Sequence, residues 1–469
     1  MVSSTNLVDN AQGQTYVTYK ARFVGLFAIV LLNISTGFVW LTYSSVQKAA
    51  QGYFNIDDST IIDVTSILYF VAFLFMSPVS GWMFEKKGIK KSLLFGAGIQ
   101  LVGTLLRYFS HFIESTPESP GGRIALTLVG QVIAAAAQPF FLNVPPKYAA
   151  VWFSETGRTT ATMIGSVANA FAAALAQLII PEITTDKDSM STSVLVCVIL
   201  AVVAIIPVVF MKERPPTPPS PSAEQALLET KEEPFWVSLK KVGTNKQFLI
   251  LMFLFGTFVG FFNAFSSLIS QFAEPFGYDA SESGYFGAAM IVAGLVGAGI
   301  AGPVIDRNKQ FKSLMKSMVP LATLFYIVFI FVVRKDFLIG IIVASALLGL
   351  SSFALLPVVL ELGVECTYPV TPASSTALLW GSGQFFAVIF LIVLGQLKGD
   401  PEKVRDTGIN PPLIFIAAWC VLATFPVYLF KSPYYRLEAE ARARANNNVA
   451  GDKQESDMQE ISLGNDSKA

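Results

Sequence analysis

The side chains best placed to do chemistry are two glutamates, Glu361 and Glu365, in the stretch ELGVECTYPV. They lie four residues apart, so a helix would put both on one face. Cys366 and Pro369 follow at once, and long apolar runs flank the stretch on both sides. Paired carboxylates in this setting could belong to an active site, to a substrate site or to an ion-pair gate.

Catalysis would need other groups that the chain does not supply. Its one histidine, His111, falls at the end of an apolar run, so a Ser–His–Asp set is not possible around it. The three cysteines, Cys197, Cys366 and Cys420, lie in or beside apolar runs without metal-ligand spacing. No nucleotide-binding loop occurs. We therefore expect no enzyme activity, no metal and no cofactor.

Composition places the chain in a membrane. Its 469 residues are 53% hydrophobic and 14% charged, whereas soluble domains carry about 25% charged residues. The apolar residues come in runs of about 20, each long enough to cross a bilayer as a helix. The formal net charge is zero, which gives no reason to expect a nucleic-acid partner. A lipid bilayer is the expected partner, and the protein is expected to be monomeric.

Twelve such runs predict an all-α membrane protein with twelve transmembrane helices in two six-helix bundles. The predicted spans are residues 23–43, 63–84, 92–112, 124–143, 159–180, 193–210, 247–269, 284–304, 314–333, 337–359, 374–396 and 412–430. A segment rich in proline and serine separates the sixth and seventh spans and predicts a disordered linker. The predicted organisation is a tail at 1–22, bundles at 23–211 and 247–430, a linker at 212–246 and a tail at 431–469.

Most of the 33 lysines and arginines fall on the side of the predicted membrane that holds both termini and the linker. Cytosolic loops carry the excess of basic residues in membrane proteins. Both termini and the linker are therefore predicted to be cytosolic. The plasma membrane and a vacuolar or lysosomal membrane remain open as locations.

Each half carries a similar loop after its second span. The first reads GWMFEKKGIKKSLL from Gly81 and the second reads GPVIDRNKQFKSLM from Gly302. Both give a glycine, an acid four residues later and then a basic cluster. Two halves of six spans with this loop resemble the major facilitator superfamily and its motif G-x-x-x-D-R-x-G-R-R. Glu85 replaces the aspartate in the first copy, and Asp306 with Arg307 follows the motif in the second.

An acid at this position can face the amino terminus of a helix in the other half, where free N–H groups and the helix dipole favour negative charge. Glu85 is predicted to latch onto the start of span eleven and Asp306 onto the start of span five. Both starts are rich in serine and threonine, which are good helix caps. The alternative is that the motif only sets topology through its positive charges.

A closer resemblance lies in the segments between spans four and five and between spans ten and eleven. PPKYAAVWF with the downstream RTTAT, and ELGVECTYPV with the downstream GQFF, resemble the feline leukaemia virus subgroup C receptor-related solute carriers. Membership would imply a facilitator-type carrier of small organic solutes. Members of that family have been linked to choline and ethanolamine, to haem and to a vitamin B6-type substrate.

The resemblance also implies a substrate site. In choline-carrying members a tryptophan of span one, a tyrosine of span seven and glutamines of spans five and eleven surround the ligand. Trp40 matches the tryptophan and Gln384 the second glutamine, whereas Asn263 stands at the tyrosine position and Asn169 lies beside the span-five position. Half of that cage is therefore replaced, which indicates a related pocket with a different ligand. Gln138 of span four is a further candidate lining residue.

Alternatives stay open for the two matching residues. Trp40 could instead face lipid, as aromatic residues in spans commonly do. Gln384 could serve as an interhelical hydrogen bond.

The predicted cavity spans one, four, seven and ten carry no charged residue near their middles. Intramembrane charges mark proton and ion pathways, so their absence argues against a carboxylate-driven proton pump. It favours a facilitator or uniporter for a neutral or soft-cation solute, because aromatic faces can hold a quaternary ammonium without a countercharge. The alternative function is a transporter-like receptor or nutrient sensor that keeps the fold but does not cycle.

The position of Glu361 and Glu365 at the predicted cytosolic end of span ten makes chemistry at these carboxylates unexpected. The equivalent loop of the first half carries Lys147 and Arg158 instead. One half is acidic where the other is basic, which predicts an ion-pair gate that forms when the cytosolic side closes. The alternative is that these charges only extend to the cytosolic water.

Overall fold

The computed structural model describes residues 8–9, 15–116, 121–219, 235–308, 310–368, 370, 372–408, 410–435 and 438. Within this part of the chain, twelve helical segments are long and apolar enough to cross a membrane. The fold is nearly all helical, as predicted. Among the described residues, Val8–Asp9 and Thr15–Tyr16 form a short antiparallel β-pairing.

The helical spans alternate in direction, and each is named here by its order in the chain. Spans one to six are Arg22–Leu41, Thr60–Lys86, Ile89–Phe109, Gly121–Trp152, Glu155–Ile183 and Met190–Phe210. Spans seven to twelve are Lys246–Ala273, Ala280–Asn308, Phe311–Val332, Leu338–Thr367, Pro372–Gln396 and Pro411–Leu429. We call the side at which span one begins and span twelve ends the termini end, and the other side the far end.

Two segments differ from the loops that the sequence predicted. Span ten runs through ELGVEC to Thr367, so the prediction of a loop there was wrong. Span four consists of three helical pieces, Gly121–Ala135, Gln138–Leu142 and Val144–Trp152. Prolines near the starts of the second and third pieces explain the breaks, because proline fits the first turn of a helix but interrupts its interior.

Shorter helices lie outside the spans. Gln47–Phe54 and Pro401–Thr407 lie at the far end. Phe235–Gly243, called the linker helix below, forms inside the segment that was predicted to be a disordered linker. Its sequence, FWVSLKKVG, is more apolar than the proline–serine segment before it, and Leu239 and Val242 are at least partly buried.

The two bundles meet along span two with span eleven and span five with span eight. Within a bundle, some helices touch backbone to backbone. A Cβ atom added to Gly130 would lie 2.7 Å from the carbonyl oxygen of Gly103, and one added to Gly349 would lie 1.7 Å from that of Met290. Small residues permit such contact in hydrocarbon, where helices associate through close packing rather than through water exclusion.

Side-chain amides tie the spans together. Asn33 of span one donates to the carbonyl of Phe141 at 3.1 Å, and Gln131 of span four donates to that of Thr65 at 3.0 Å. Gln177 of span five crosses to the second bundle and donates to the carbonyl of Ser266 at 3.3 Å. An amide buried in hydrocarbon is costly without a partner, so these bonds fix the register of neighbouring helices.

Replacing Gly130 by valine is expected to lower stability by about 1–3 kcal/mol, because the new side chain would overlap backbone of span three. Thermal denaturation of the purified protein, followed by tryptophan fluorescence, measures the change in midpoint. Gly98→Val is the matched control, since a Cβ there meets nothing within 4 Å. Equal midpoints for the two variants would contradict the tight contact of spans three and four.

Candidate functional site

A cavity lies between the two bundles and collects most of the predicted substrate residues. The first bundle contributes spans four and five, and the second contributes spans seven, nine, ten and eleven. Four of the five predicted residues line it: Gln138, Asn169, Asn263 and Gln384. Among the described residues that line it, none carries an ionisable side chain.

The hydrogen bonds of the four amides at this site are long or incomplete. Asn263 Nδ2 lies 3.4 Å from Gln384 Oε1, a long hydrogen bond across spans seven and eleven. Asn169 Nδ2 is also 3.4 Å from its acceptor, the carbonyl of Asn33. Gln138 is buried, and its Oε1 has no hydrogen-bond partner among the described residues. Since an unpaired buried polar atom is costly, a polar solute that pairs with these amides would be stabilised.

Aromatic side chains form the apolar part of the lining. Trp380 packs edge-on against Phe255, with ring centroids 5.3 Å apart. Phe262 and Phe353 make a similar contact across spans seven and ten at 5.0 Å. The indole N–H of Trp380 has no partner in the described part of the chain. The site therefore combines aromatic faces with one indole donor and several amides.

Trp40 is not among the described residues that line this cavity. Its ring packs edge-on against Phe70 of span two at 5.5 Å, and the residue is buried. Span one nevertheless borders Asn169, because a Cβ added to Gly37 would lie 3.3 Å from the carbonyl oxygen of Asn169. Trp40 follows Gly37 by three residues, and its place in the substrate site stays a prediction.

The cavity is narrow in this conformation. Its volume is about 60 Å³, which is room for only a few water molecules. An organic solute would therefore enter only if the lining side chains moved or the bundles separated.

Ion pairs join the bundles at the far end. Lys398, after span eleven, contacts the carboxylate of Asp63 in span two at 3.0 Å and donates to Ser59 Oγ at 3.1 Å. Gln271 of span seven donates to the other Asp63 oxygen at 2.8 Å. Lys48 and Glu274 pair at 3.2 Å nearby, but both are well exposed. These contacts, called the far-end clasp below, close the interface between spans two, seven and eleven.

Asp58 adds negative charge beside the clasp. The Thr60 hydroxyl and backbone N–H both donate to its carboxylate. These bonds, and the charge of Lys398 to a lesser extent, lower the pKa of Asp58. The carboxylate therefore stays ionised at lower pH than usual and continues to attract Lys398 there.

Two of the predicted gating residues meet at the termini end of the first bundle. Lys147 Nζ donates to the carbonyl of Phe84 at 2.8 Å, and Glu85, the acid of the first loop motif, follows Phe84 in the chain and is exposed. Lys147 is thus engaged within its own bundle in this conformation.

The remaining gating residues lie on both bundles. Glu361 is half-buried and Glu365 is 2% exposed in the last turns of span ten. This end of span ten packs against the start of span seven, where Asn245 Nδ2 donates to the carbonyl of Cys366 at 2.8 Å. Arg158, Asp306 and Arg307 lie on described helices, but their side chains are outside the described part of the chain. The gate and latch pairings remain predictions.

Sequence reasoning missed the clasp and did not select Trp380 as a lining residue. Asp63 and Lys398 are separated by 335 positions, and no local pattern links them. Trp380 had a usable signal, because it precedes Gln384 by four residues and so shares its helical face.

Comparison with known proteins agrees with this architecture. Residues 26–362 match the family model described as Major Facilitator Superfamily. The chain is 31% identical over 451 residues to solute carrier family 49 member A3 of Xenopus tropicalis, with 92% of each chain covered. It is 27% identical to the choline/ethanolamine transporter flvcr2a of Danio rerio, covering 91% of this chain and 90% of that one.

Solved structures with the same fold are more distant in sequence. The D-xylose-proton symporter superposes with a TM-score of 0.67 at 13% identity, covering 88% of this chain and 98% of the symporter. This likeness supports the twelve-span architecture alone.

Removing the Lys398 charge is expected to favour opening at the far end. A partly exposed ion pair contributes about 1 kcal/mol at most, which is a shift of about fivefold between closed and open states. In Lys398→Ala, a cysteine introduced at the buried Ser266 should react faster with a membrane-impermeant maleimide than in the parent. Lys335→Ala, which removes an exposed lysine at the same end, is the control. Identical labelling rates in both variants would show that the clasp does not hold this end closed.

Charge reversal tests the gate predicted at the termini end. Glu365→Arg is expected to abolish most solute transport, because it places a cation in a buried position. Adding Arg158→Glu or Lys147→Glu should restore transport if the cross-bundle ion pair exists. Uptake into vesicles at matched protein levels measures this. A failure of both second substitutions to restore uptake would count against the gate.

Proposed function

The chain belongs to the Major Facilitator Superfamily and, within it, to solute carrier family 49; from this membership we propose that it is a facilitator of a neutral or weakly cationic small organic solute. As a member of this superfamily, the chain is a multi-pass membrane protein of a family that transports small solutes. We further propose which class of solute it carries and that transport is not coupled to protons.

The observation that carries the proposal is the chemistry of the cavity between the bundles. Its described lining offers amides and aromatic rings but no ionisable side chain. A proton-coupled carrier needs a group that gains and loses a proton within the pathway. Amides cannot do so at physiological pH. The lining therefore supports movement of the solute down its own gradient.

The same lining narrows the class of solute. Four amides supply both donors and acceptors for hydroxyl, amine or ring-nitrogen groups. The rings of Trp380, Phe255 and Phe258 supply faces for an apolar body or for an ammonium, at about 0.5–2 kcal/mol per ring. A strongly anionic solute would find no countercharge in this lining. Choline and ethanolamine, which relatives are named for transporting, fit this description, as does a pyridine-type vitamin.

Uptake by the full chain in vesicles tests the proposal. Choline, ethanolamine, pyridoxine and haem are to be offered separately, and saturable uptake of at least one small polar solute is expected. Uptake should be unchanged when a pH gradient is imposed, because the lining lacks a titratable group. Dependence on the pH gradient would contradict the facilitator mechanism. Specific binding without any uptake would favour the receptor alternative.

Substitutions of tryptophan locate the site. Trp380→Ala should raise KM for the accepted solute about 2- to 30-fold. This range corresponds to losing the binding free energy of one aromatic contact, about 0.5–2 kcal/mol. Trp82→Ala, at an exposed tryptophan outside the described lining, should leave KM unchanged. Trp40→Ala separates the two assignments, because a larger effect at Trp40 than at Trp380 would favour the site implied by family resemblance over the cavity described here.

A further inference from the structure

Another cavity, called the lateral crevice here, lies between the bundles but nearer the membrane surface. Its volume is about 420 Å³. Span two forms one wall and spans seven and eleven form the other, and Leu239 of the linker helix contributes at one edge. It is a different space from the solute cavity, because the two share no described lining residue.

The lateral crevice is suited to hydrocarbon. Among its described lining residues, only Ser77 and Ser382 have polar side chains. Ser77 Oγ accepts from Asn143 Nδ2 at 3.0 Å, and Ser382 Oγ donates to the carbonyl of Leu379 at 2.7 Å. Both hydroxyls are thus already engaged with protein. Water needs two or more polar partners to stay in a cavity, so an apolar occupant suits this one.

The crevice opens sideways toward the bilayer. Two of its lining residues, Leu249 and Phe385, are 45% and 52% exposed on the outer surface of the helices. In a chain that crosses the membrane, exposed apolar side chains at this depth contact lipid. The lining along span eleven extends from Ala377 to Phe386, which is roughly 13 Å at 1.5 Å per residue. One leaflet of hydrocarbon is about 15 Å deep, so the crevice has the length of an acyl chain within a single leaflet.

Positive charge lies at the surface end of the crevice. Lys240 follows the lining residue Leu239, and Lys246 precedes the lining residue Leu249 by three positions. Both lysines are exposed. Basic residues at headgroup depth attract anionic lipids, and basic pockets between spans hold their headgroups.

We propose that an anionic phospholipid from the leaflet at the termini end places one acyl chain in the lateral crevice, with its headgroup at Lys240 and Lys246. The occupied crevice joins span two of one bundle to spans seven and eleven of the other. The lipid therefore binds only while these spans keep this spacing. Any ligand that binds one conformation better than another shifts their populations, so this phospholipid stabilises the described conformation.

Photolabelling of the full chain in vesicles tests the proposal. The vesicles contain phosphatidylcholine and a trace of phosphatidylserine with a diazirine on one acyl chain, and labelled peptides are identified by mass spectrometry. Labelling is expected on spans two, seven and eleven at crevice residues. It should exceed that on the outer face of span six, which reports ordinary contact with bulk lipid.

Gly381→Leu tests the acyl-chain part. A Cβ added to Gly381 meets nothing within 4 Å, so leucine can fill the crevice without displacing protein. Labelling at the crevice should fall to the level of span six. Gly98→Leu places the same side chain in open space on span three and should label like the parent. Undiminished crevice labelling in Gly381→Leu, with thermal midpoints equal to those of Gly98→Leu, overturns the proposal.

The two lysines test the headgroup part. Lys240→Gln and Lys246→Gln should each reduce phosphatidylserine labelling about fivefold. This is the change in lipid affinity expected from losing one basic residue near a membrane surface. Labelling by the matching diazirine phosphatidylcholine should not change. Equal labelling by the two lipids in the parent protein would refute the anionic headgroup. None of these measurements uses the transported solute, so they stand apart from the outcome of the uptake assay.

Discussion

Hydrocarbon cannot hydrogen-bond to a protein, and most features of this structure follow from that constraint. Backbone groups inside a bilayer must be satisfied within the chain, which leaves helices as the way for these segments to cross it. Side-chain amides obey the same rule. Asn33, Gln131 and Gln177 each donate to a carbonyl of another span. The side-chain oxygen atoms of these three amides have no partner among the described residues, and neither has Oε1 of Gln138 in the central cavity. An unpaired amide oxygen therefore does not by itself distinguish the cavity from the rest of the interior.

The interface between the bundles carries different chemistry at different depths. At the far end it is ionic, because Asp63 meets Lys398 and Gln271 there near water. In the centre it is uncharged in its described lining, with amides beside aromatic rings. Toward the termini end it includes a crevice that is almost wholly apolar. The contacts between the bundles therefore differ in kind from one end of the interface to the other.

The sequence was a good guide to the elements and a partial guide to the site. Runs of about 20 apolar residues predicted twelve spans because hydrophobic length is a local property. The continuation of span ten through Glu365 was missed, since two glutamates and a cysteine resemble the end of a membrane segment. In the structure Glu365 is buried against other helices rather than against lipid. The polarity of a residue does not reveal whether its face of the helix packs against other helices or contacts lipid.

Family resemblance led to Asn169, Asn263 and Gln384, and the position of Gln138 in span four led to the fourth amide. The four lie in four different spans, and the fold brings them to one cavity. Family resemblance also included Trp40, which packs against Phe70. By itself, the sequence determined the membrane setting, the count of spans, the repeat of six and the family, because composition, the length of apolar runs and short motifs can all be read along the chain. Only the tertiary structure decided which side chains face each other across the bundles. Asp63 meets Lys398 across the bundles and Trp380 packs against Phe255 within the second bundle because whole helices are rotated and tilted into place, and a linear pattern does not specify these contacts.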